Sequence, residues 1–269
     1  HEVEGLVRGV VGTDRERRAR LRDLRRGREH EAPRILPAVF LDEAPRLAEL
    51  MRRLTEQVPR ELTSRVDRFL ATFPDFQYDG AVYFMVSLRS FDGAIRTIDG
   101  WRCLLFGIDE IARVQGEDAD LGVLFDHELF HIYHARVFPD HDVESHPLWH
   151  ALWAEGLATH VSEALNPRAP TFLVLGHPRD LEEQARPILA RLTGELGMKL
   201  DSVEIRDYSD FFWGGVQRTD VPPRSGYYIG LLIARALCAG SELARAARWG
   251  GETLRERIAR ELETIGRST

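Results

Sequence analysis

Apolar residues recur at helical spacing over several long stretches of this chain. Such spacing places one apolar face along each helix. It predicts helices over residues 13–30, 42–72, 121–137, 148–165, 179–193, 225–239 and 251–265. Pro45 is expected to open the second of these helices, and Pro59 is expected to interrupt it, because proline lacks the backbone donor that a helix interior requires.

One central stretch has a different residue pattern. Three runs there are rich in β-branched and aromatic residues, namely Ala81–Leu88, Ala94–Ile98 and Arg102–Ile108. Between them, Phe91-Asp92-Gly93 and Asp99-Gly100 supply the residue types of tight turns. The stretch predicts a small antiparallel sheet. Helices, then a sheet, then more helices indicate an α+β fold, and we expect a helical region over residues 1–78 to pack on a second domain over 79–269.

Composition narrows the classes of function. The chain has 269 residues, of which 43% are hydrophobic and 9% aromatic, enough for a substantial core. A net charge of −7 argues against a nucleic-acid partner, which usually requires a basic face. No apolar run approaches the roughly 18 residues of a membrane span, so a soluble protein is predicted. Cys103 and Cys238 lie in apolar runs and are expected to be buried free thiols.

The first residue is His1 rather than Met. An upstream signal peptide or tag would explain this start, and removal of a signal peptide would make the protein an exported one. The compartment and the oligomeric state stay open. Segments rich in Arg and Ala are typical of a bacterial source with GC-rich DNA.

The chemically distinctive motif is His127-Glu128-Leu129-Phe130-His131, an HExxH sequence. Residues four apart on a helix share one face, so both imidazoles can reach a single metal ion. Glu128 follows the first imidazole and can act as a base without being a ligand. Apolar neighbours indicate a largely buried helix, where histidine and glutamate without partners would be costly.

A catalytic zinc ion needs a third protein ligand and an open position. The loop after the motif offers several candidates: Asp140, His141, Asp142, His146 and His150. The strongest candidate is Glu155, which lies 24 residues after His131 on a second apolar helix. Two antiparallel helices joined by a loop of this length can bring His127, His131 and Glu155 to one ion. One Zn²⁺ is therefore predicted.

The order of three motifs resembles a known group of proteins. HExxH is followed by Glu155-Gly156-Leu157-Ala158 with Ser162, and then by Gly226-Tyr227-Tyr228-Ile229-Gly230. This order is similar to that of gluzincin-like predicted zinc-dependent proteases of bacteria, which are distantly similar to thermolysin-like and zinc aminopeptidase catalytic domains. The metzincin pattern does not fit, because His134 and Val137 stand where it requires Gly and His.

The resemblance covers roughly residues 80–240 and implies a zincin-like metallopeptidase domain. Its small antiparallel sheet would precede an active-site helix pair and a mostly helical C-terminal part. The strands would line the cleft, and the run Arg102–Ile108 would be an edge strand that binds extended peptide. Tyr227 matches the tyrosine of the GYxxG segment and is the expected oxyanion donor, with Tyr228 as the alternative. The chain lacks the aminopeptidase segment for binding a substrate's N-terminal amine.

We therefore expect a zinc-dependent peptidase that cleaves peptide or protein substrates. Water activated by the metal would attack the peptide bond, with Glu128 as general base and Tyr227 supporting the oxyanion. Two alternatives remain: a catalytically silent, metal-stabilised binding or scaffold protein, and a zinc hydrolase that acts on a non-peptide amide or ester. Retention of Glu128 favours catalysis, because a purely structural site has no use for this residue.

Overall fold

The computed structural model describes residues 32–88, 90–141, 146–213 and 218–268. The helix predicted over residues 13–30 lies outside this part of the chain. In chain order the elements are α1 (Ala32–Thr72), β1 (Val82–Met85), β2 (Gly93–Ile98), β3 (Trp101–Gly107), α2 (Ile108–Gln115), α3 (Leu121–Val137), α4 (Leu148–Leu165), α5 (Thr171–Leu175), α6 (Leu181–Ala185), α7 (Leu189–Met198), α8 (Ile205–Tyr208), α9 (Ser225–Cys238), α10 (Leu243–Ala246) and α11 (Gly251–Arg267).

The α+β class is confirmed, with one small sheet and a mostly helical remainder. Both helices that carry the proposed ligands, α3 and α4, begin and end at the predicted residues. The single helix predicted over residues 179–193 is wrong, because a 3₁₀ turn at Arg186–Ile188 separates α6 from α7. None of the described helices combines the length and apolarity needed to cross a membrane.

The predicted interruption at Pro59 is also wrong. Helix α1 continues through this residue, and through Pro45, from Ala32 to Thr72. Proline costs a helix one hydrogen bond and a local clash, which a slight bend can relieve. Buried Leu54 before the proline and buried Phe69 after it anchor the two halves of the helix.

The sheet is mixed rather than antiparallel, which corrects the prediction. Strand β3 lies in the centre, antiparallel to β2 and parallel to β1. The β2–β3 hairpin turns at Asp99-Gly100, where both residues have positive φ, as a type I′ turn requires. Because β3 is paired on both sides, the expectation that Arg102–Ile108 forms a peptide-binding edge strand is wrong.

The chain forms two compact units that interleave along the sequence. The first contains the described residues up to Glu61 together with Asp79–Leu121, and so includes the whole sheet. Met85, Cys103 and Leu105 form a small core there. The second contains Leu62–Tyr78 and the chain from Gly122 onward. The predicted division at residues 1–78 and 79–269 stays a prediction.

Within the second unit, two polar contacts hold α3 antiparallel to α4. The Ser162 hydroxyl donates to the Val123 carbonyl at 2.6 Å. The side-chain amide of Asn166, just past α4, donates to Asp126 at 2.7 Å. The start of α3 therefore lies beside the end of α4, and the middles of the two helices face each other.

Helices α4 and α9 approach each other closely because both carry glycine at the point of contact. A methyl group on Gly156 would lie 2.3 Å from the Gly230 carbonyl oxygen. A methyl group on Gly230 would lie 2.7 Å from the Leu152 carbonyl oxygen. Both separations are below van der Waals contact, so each position requires glycine. The EGLA and GYxxG segments thus meet through their glycines, and this contact brings Tyr227 towards α4.

Replacing Gly230 with alanine is expected to destabilise the protein by about 1–3 kcal/mol, since the added methyl group forces two packed backbones apart. Chemical denaturation measures the change. Gly194→Ala is the matched control, because Gly194 lies in α7 and an added methyl group there would have no atom within 4 Å. This control should stabilise the protein by up to about 1 kcal/mol through helix propensity. Equal effects of the two substitutions would contradict the close crossing.

Candidate metal centre

Helix α3 presents His127 and His131 on one face, as their four-residue spacing predicts. Their Nε2 atoms lie 3.0 Å apart, and their ring centroids are 4.7 Å apart with the rings nearly perpendicular. Both side chains are mostly buried, with 12% and 19% of their surface exposed. Two ring nitrogens therefore point to one small volume.

Helix α4 adds the carboxylate of Glu155 to this volume. Glu155 Oε2 lies 3.4 Å from His127 Nε2 and 3.2 Å from His131 Nε2. Metal–ligand bonds of about 2.0–2.1 Å at tetrahedral angles would place ligand atoms about 3.3 Å apart. The three observed separations match this value, so these residues could hold a metal ion. Two imidazoles and one carboxylate form a donor set that suits zinc.

Electrostatics favour the ligand forms of these groups. Burial lowers the pKa of His127, which keeps its imidazole neutral. Burial opposes ionisation of Glu155, but the adjacent His131 and His127 outweigh it, and the pKa of Glu155 lies well below its ordinary value. Glu155 Oε2 is buried and has no hydrogen-bond donor. Such an atom is costly, and a cation at the centre of the three donors would satisfy it.

Glu128 does not belong to the three-residue group. It follows His127 in α3 and is partly buried. In an HExxH sequence this is the position from which a glutamate can serve as general base without being a ligand.

The two candidate tyrosines have different surroundings. The ring centroid of Tyr227 lies 6.3 Å from that of His127, with the rings close to parallel. Tyr228 is 3% exposed, and its hydroxyl lies 3.5 Å from a carboxylate oxygen of Glu182. Tyr227 is therefore the tyrosine of this pair that adjoins the His127–His131–Glu155 group.

The other ligand candidates lie outside the three-donor group. His146 and His150 pair with each other, and Asp140 accepts a hydrogen bond from the Gly251 backbone at 2.5 Å. Asp142 lies outside the described residues. Glu155 is thus the candidate third ligand that meets both motif histidines. The hydroxyl of Thr159, one turn beyond Glu155, donates to the Glu155 backbone carbonyl at 2.7 Å.

Two residues near the His127–His131–Glu155 group were not predicted from the sequence. Arg224 has a left-handed backbone, with φ +61°, and its guanidinium lies 3.9 Å from the centroid of the Tyr227 ring. Burial and the charge of Glu155 raise the pKa of Tyr208. Arg224 stands two residues before the GYxxG segment, and this proximity is a weak indication in the sequence that Arg224 lies near the site. Nothing in the sequence around Tyr208 indicates its position.

No protein-family model matches this chain, and no curated protein or solved structure matches it either.

Proposed function

We propose that the protein is a zinc-dependent peptidase of the gluzincin type. The observation that carries the proposal is the convergence of His127, His131 and Glu155 at separations of 3.0–3.4 Å, with Glu128 next to the first ligand. Three protein ligands leave a fourth tetrahedral position open, which distinguishes catalytic zinc sites from structural ones. Glu128, which a structural site would not need, supports hydrolysis.

A bound zinc ion would lower the pKa of water and polarise the scissile carbonyl. Glu128 then has two tasks: it accepts a proton from the attacking water and returns it to the departing amine. Glu128 follows His127 directly in the partly buried helix α3, which supports this assignment. The proposed reaction class is hydrolysis of an amide bond in a peptide or protein.

Tyr227 is proposed to donate a hydrogen bond to the oxyanion that develops on the substrate. Its ring contacts the Arg224 guanidinium at 3.9 Å, and its centroid lies 5.7 Å from that of the Phe212 ring. These contacts restrict the orientation of the ring, and the Tyr227 hydroxyl is the proposed hydrogen-bond donor. Preorganised donors of this kind stabilise the transition state more than the bound substrate.

Tyr227→Phe is expected to lower kcat by about 100-fold with little change in KM, since the lost hydrogen bond forms only in the transition state. Steady-state cleavage of a fluorogenic peptide measures both constants. Tyr228→Phe is the matched control and should leave kcat within about threefold. A Tyr227→Phe enzyme with the wild-type kcat would remove this residue from the mechanism.

Metal removal tests the function itself. Dialysis against a strong chelator is expected to abolish cleavage of an unfolded protein substrate, and one equivalent of Zn²⁺ should restore it. Elemental analysis gives the stoichiometry. Cleavage that survives complete removal of metal would overturn the proposal. A zinc-loaded protein that cleaves no peptide would favour the scaffold role, or a non-peptide substrate if esters or small amides are hydrolysed.

A further inference from the structure

A second group of histidines lies between the end of α3 and the first turn of α4. His146 Nδ1 and His150 Nδ1 are 3.1 Å apart, and the centroids of their rings are 5.4 Å apart. The ring centroid of His141 lies 6.4 Å from that of His146. Three imidazoles thus share one neighbourhood, none of them belonging to the His127–His131–Glu155 group.

The spacing of this pair matches that of the motif histidines. The two facing nitrogens are 3.1 Å apart here and 3.0 Å apart in the metal centre. A separation of about 3.3 Å is what two nitrogens bound tetrahedrally to one ion would show. The alternative is a direct N–H···N hydrogen bond between the rings, which the same distance permits.

The two imidazoles differ in how they are held. His150 is 6% exposed and packs edge-on against the Trp149 ring at 4.1 Å and the Phe138 ring at 5.3 Å. His146 is exposed, so an ion can reach the pair from solvent. Burial, followed by the charge of His146, lowers the pKa of His150 to about 4, which leaves its nitrogen free of a second proton at neutral pH. His150 is therefore the fixed donor and His146 the accessible one. This combination suits reversible metal binding.

We propose that His146 and His150 bind a second divalent transition-metal ion. Imidazole donors select Zn²⁺, Ni²⁺ and Cu²⁺ over the hard cations Mg²⁺ and Ca²⁺. This pair offers two donors in place, whereas the His127–His131–Glu155 group offers three, so it binds zinc more weakly than that group does. An ion here joins His146, just before α4, to the first turn of α4, the helix that carries Glu155.

Equilibrium titration with Zn²⁺ tests the proposal. The wild-type chain should bind two ions, one tightly and one more weakly. His146→Ala should lower the affinity of the weaker site at least tenfold and leave the tighter site unchanged. His127→Ala should do the reverse. His160→Ala is the control, because His160 lies in α4 against Glu163 and belongs to neither group.

Spectroscopy separates coordination from an N–H···N bond. Once the tighter site is filled with zinc, added Cu²⁺ should show splitting from at least two nitrogens in its electron paramagnetic resonance spectrum, and His146→Ala should remove it. Binding of one ion per wild-type chain, or a weaker site unaffected by His146→Ala, would overturn the proposal. His127→Ala abolishes the proposed peptidase but retains this site, so the two proposals fail independently.

Discussion

Replacing Glu128 with glutamine is expected to lower kcat/KM for peptide cleavage by about 10²- to 10⁴-fold, the usual contribution of a general acid–base. The glutamine amide has nearly the same shape but cannot accept the proton of the attacking water. Zinc content should stay at one ion in the metal centre, because Glu128 is outside the three-donor group. Kinetics and elemental analysis on the same preparation measure both quantities.

The matched control is Glu256→Gln, which makes the same chemical change at an exposed position of α11. Its kinetics should equal those of the wild type. A Glu128→Gln enzyme that cleaves at the wild-type rate would exclude this residue as the base. Loss of zinc together with activity would instead assign Glu128 a role in holding the metal.

Glu155→Gln should weaken zinc binding by at least about 100-fold. Substitutions in the outer shell of metal sites already cost 10- to 100-fold in affinity, and Glu155 is proposed as a direct ligand. The amide removes the negative charge that faces His127 and His131 at 3.4 and 3.2 Å. Competition with a chromophoric chelator measures the affinity, and activity should fall at limiting zinc and recover partly in excess zinc.

Glu163→Gln is the control for this experiment, since Glu163 lies two turns further along α4 and pairs with Arg235. Its zinc affinity should be unchanged within about threefold. Circular dichroism should show the same helix content for both variants and the wild type. A folded Glu155→Gln protein with wild-type affinity would require a different third ligand.

Local sequence determined the parts of this protein that depend on neighbours within a few turns. Apolar spacing placed α3 and α4 correctly to the residue, and the HExxH spacing alone put His127 and His131 on one face. The Asp99-Gly100 turn followed from the conformations that these residues tolerate. Helical periodicity and turn chemistry are short-range effects, so one sequence is enough to read them.

Tertiary structure decided what depends on distant partners. The parallel pairing of Val82 with Leu104 joins residues 22 positions apart, and turn residues between the strands gave no sign of it. Sequence left Tyr227 and Tyr228 as alternatives, and only the crossing of α4 and α9 at Gly156 and Gly230 set Tyr227 beside His127. Such contacts arise when packed helices exclude water from a shared core, and the spacing of residues along one chain does not encode which faces will meet.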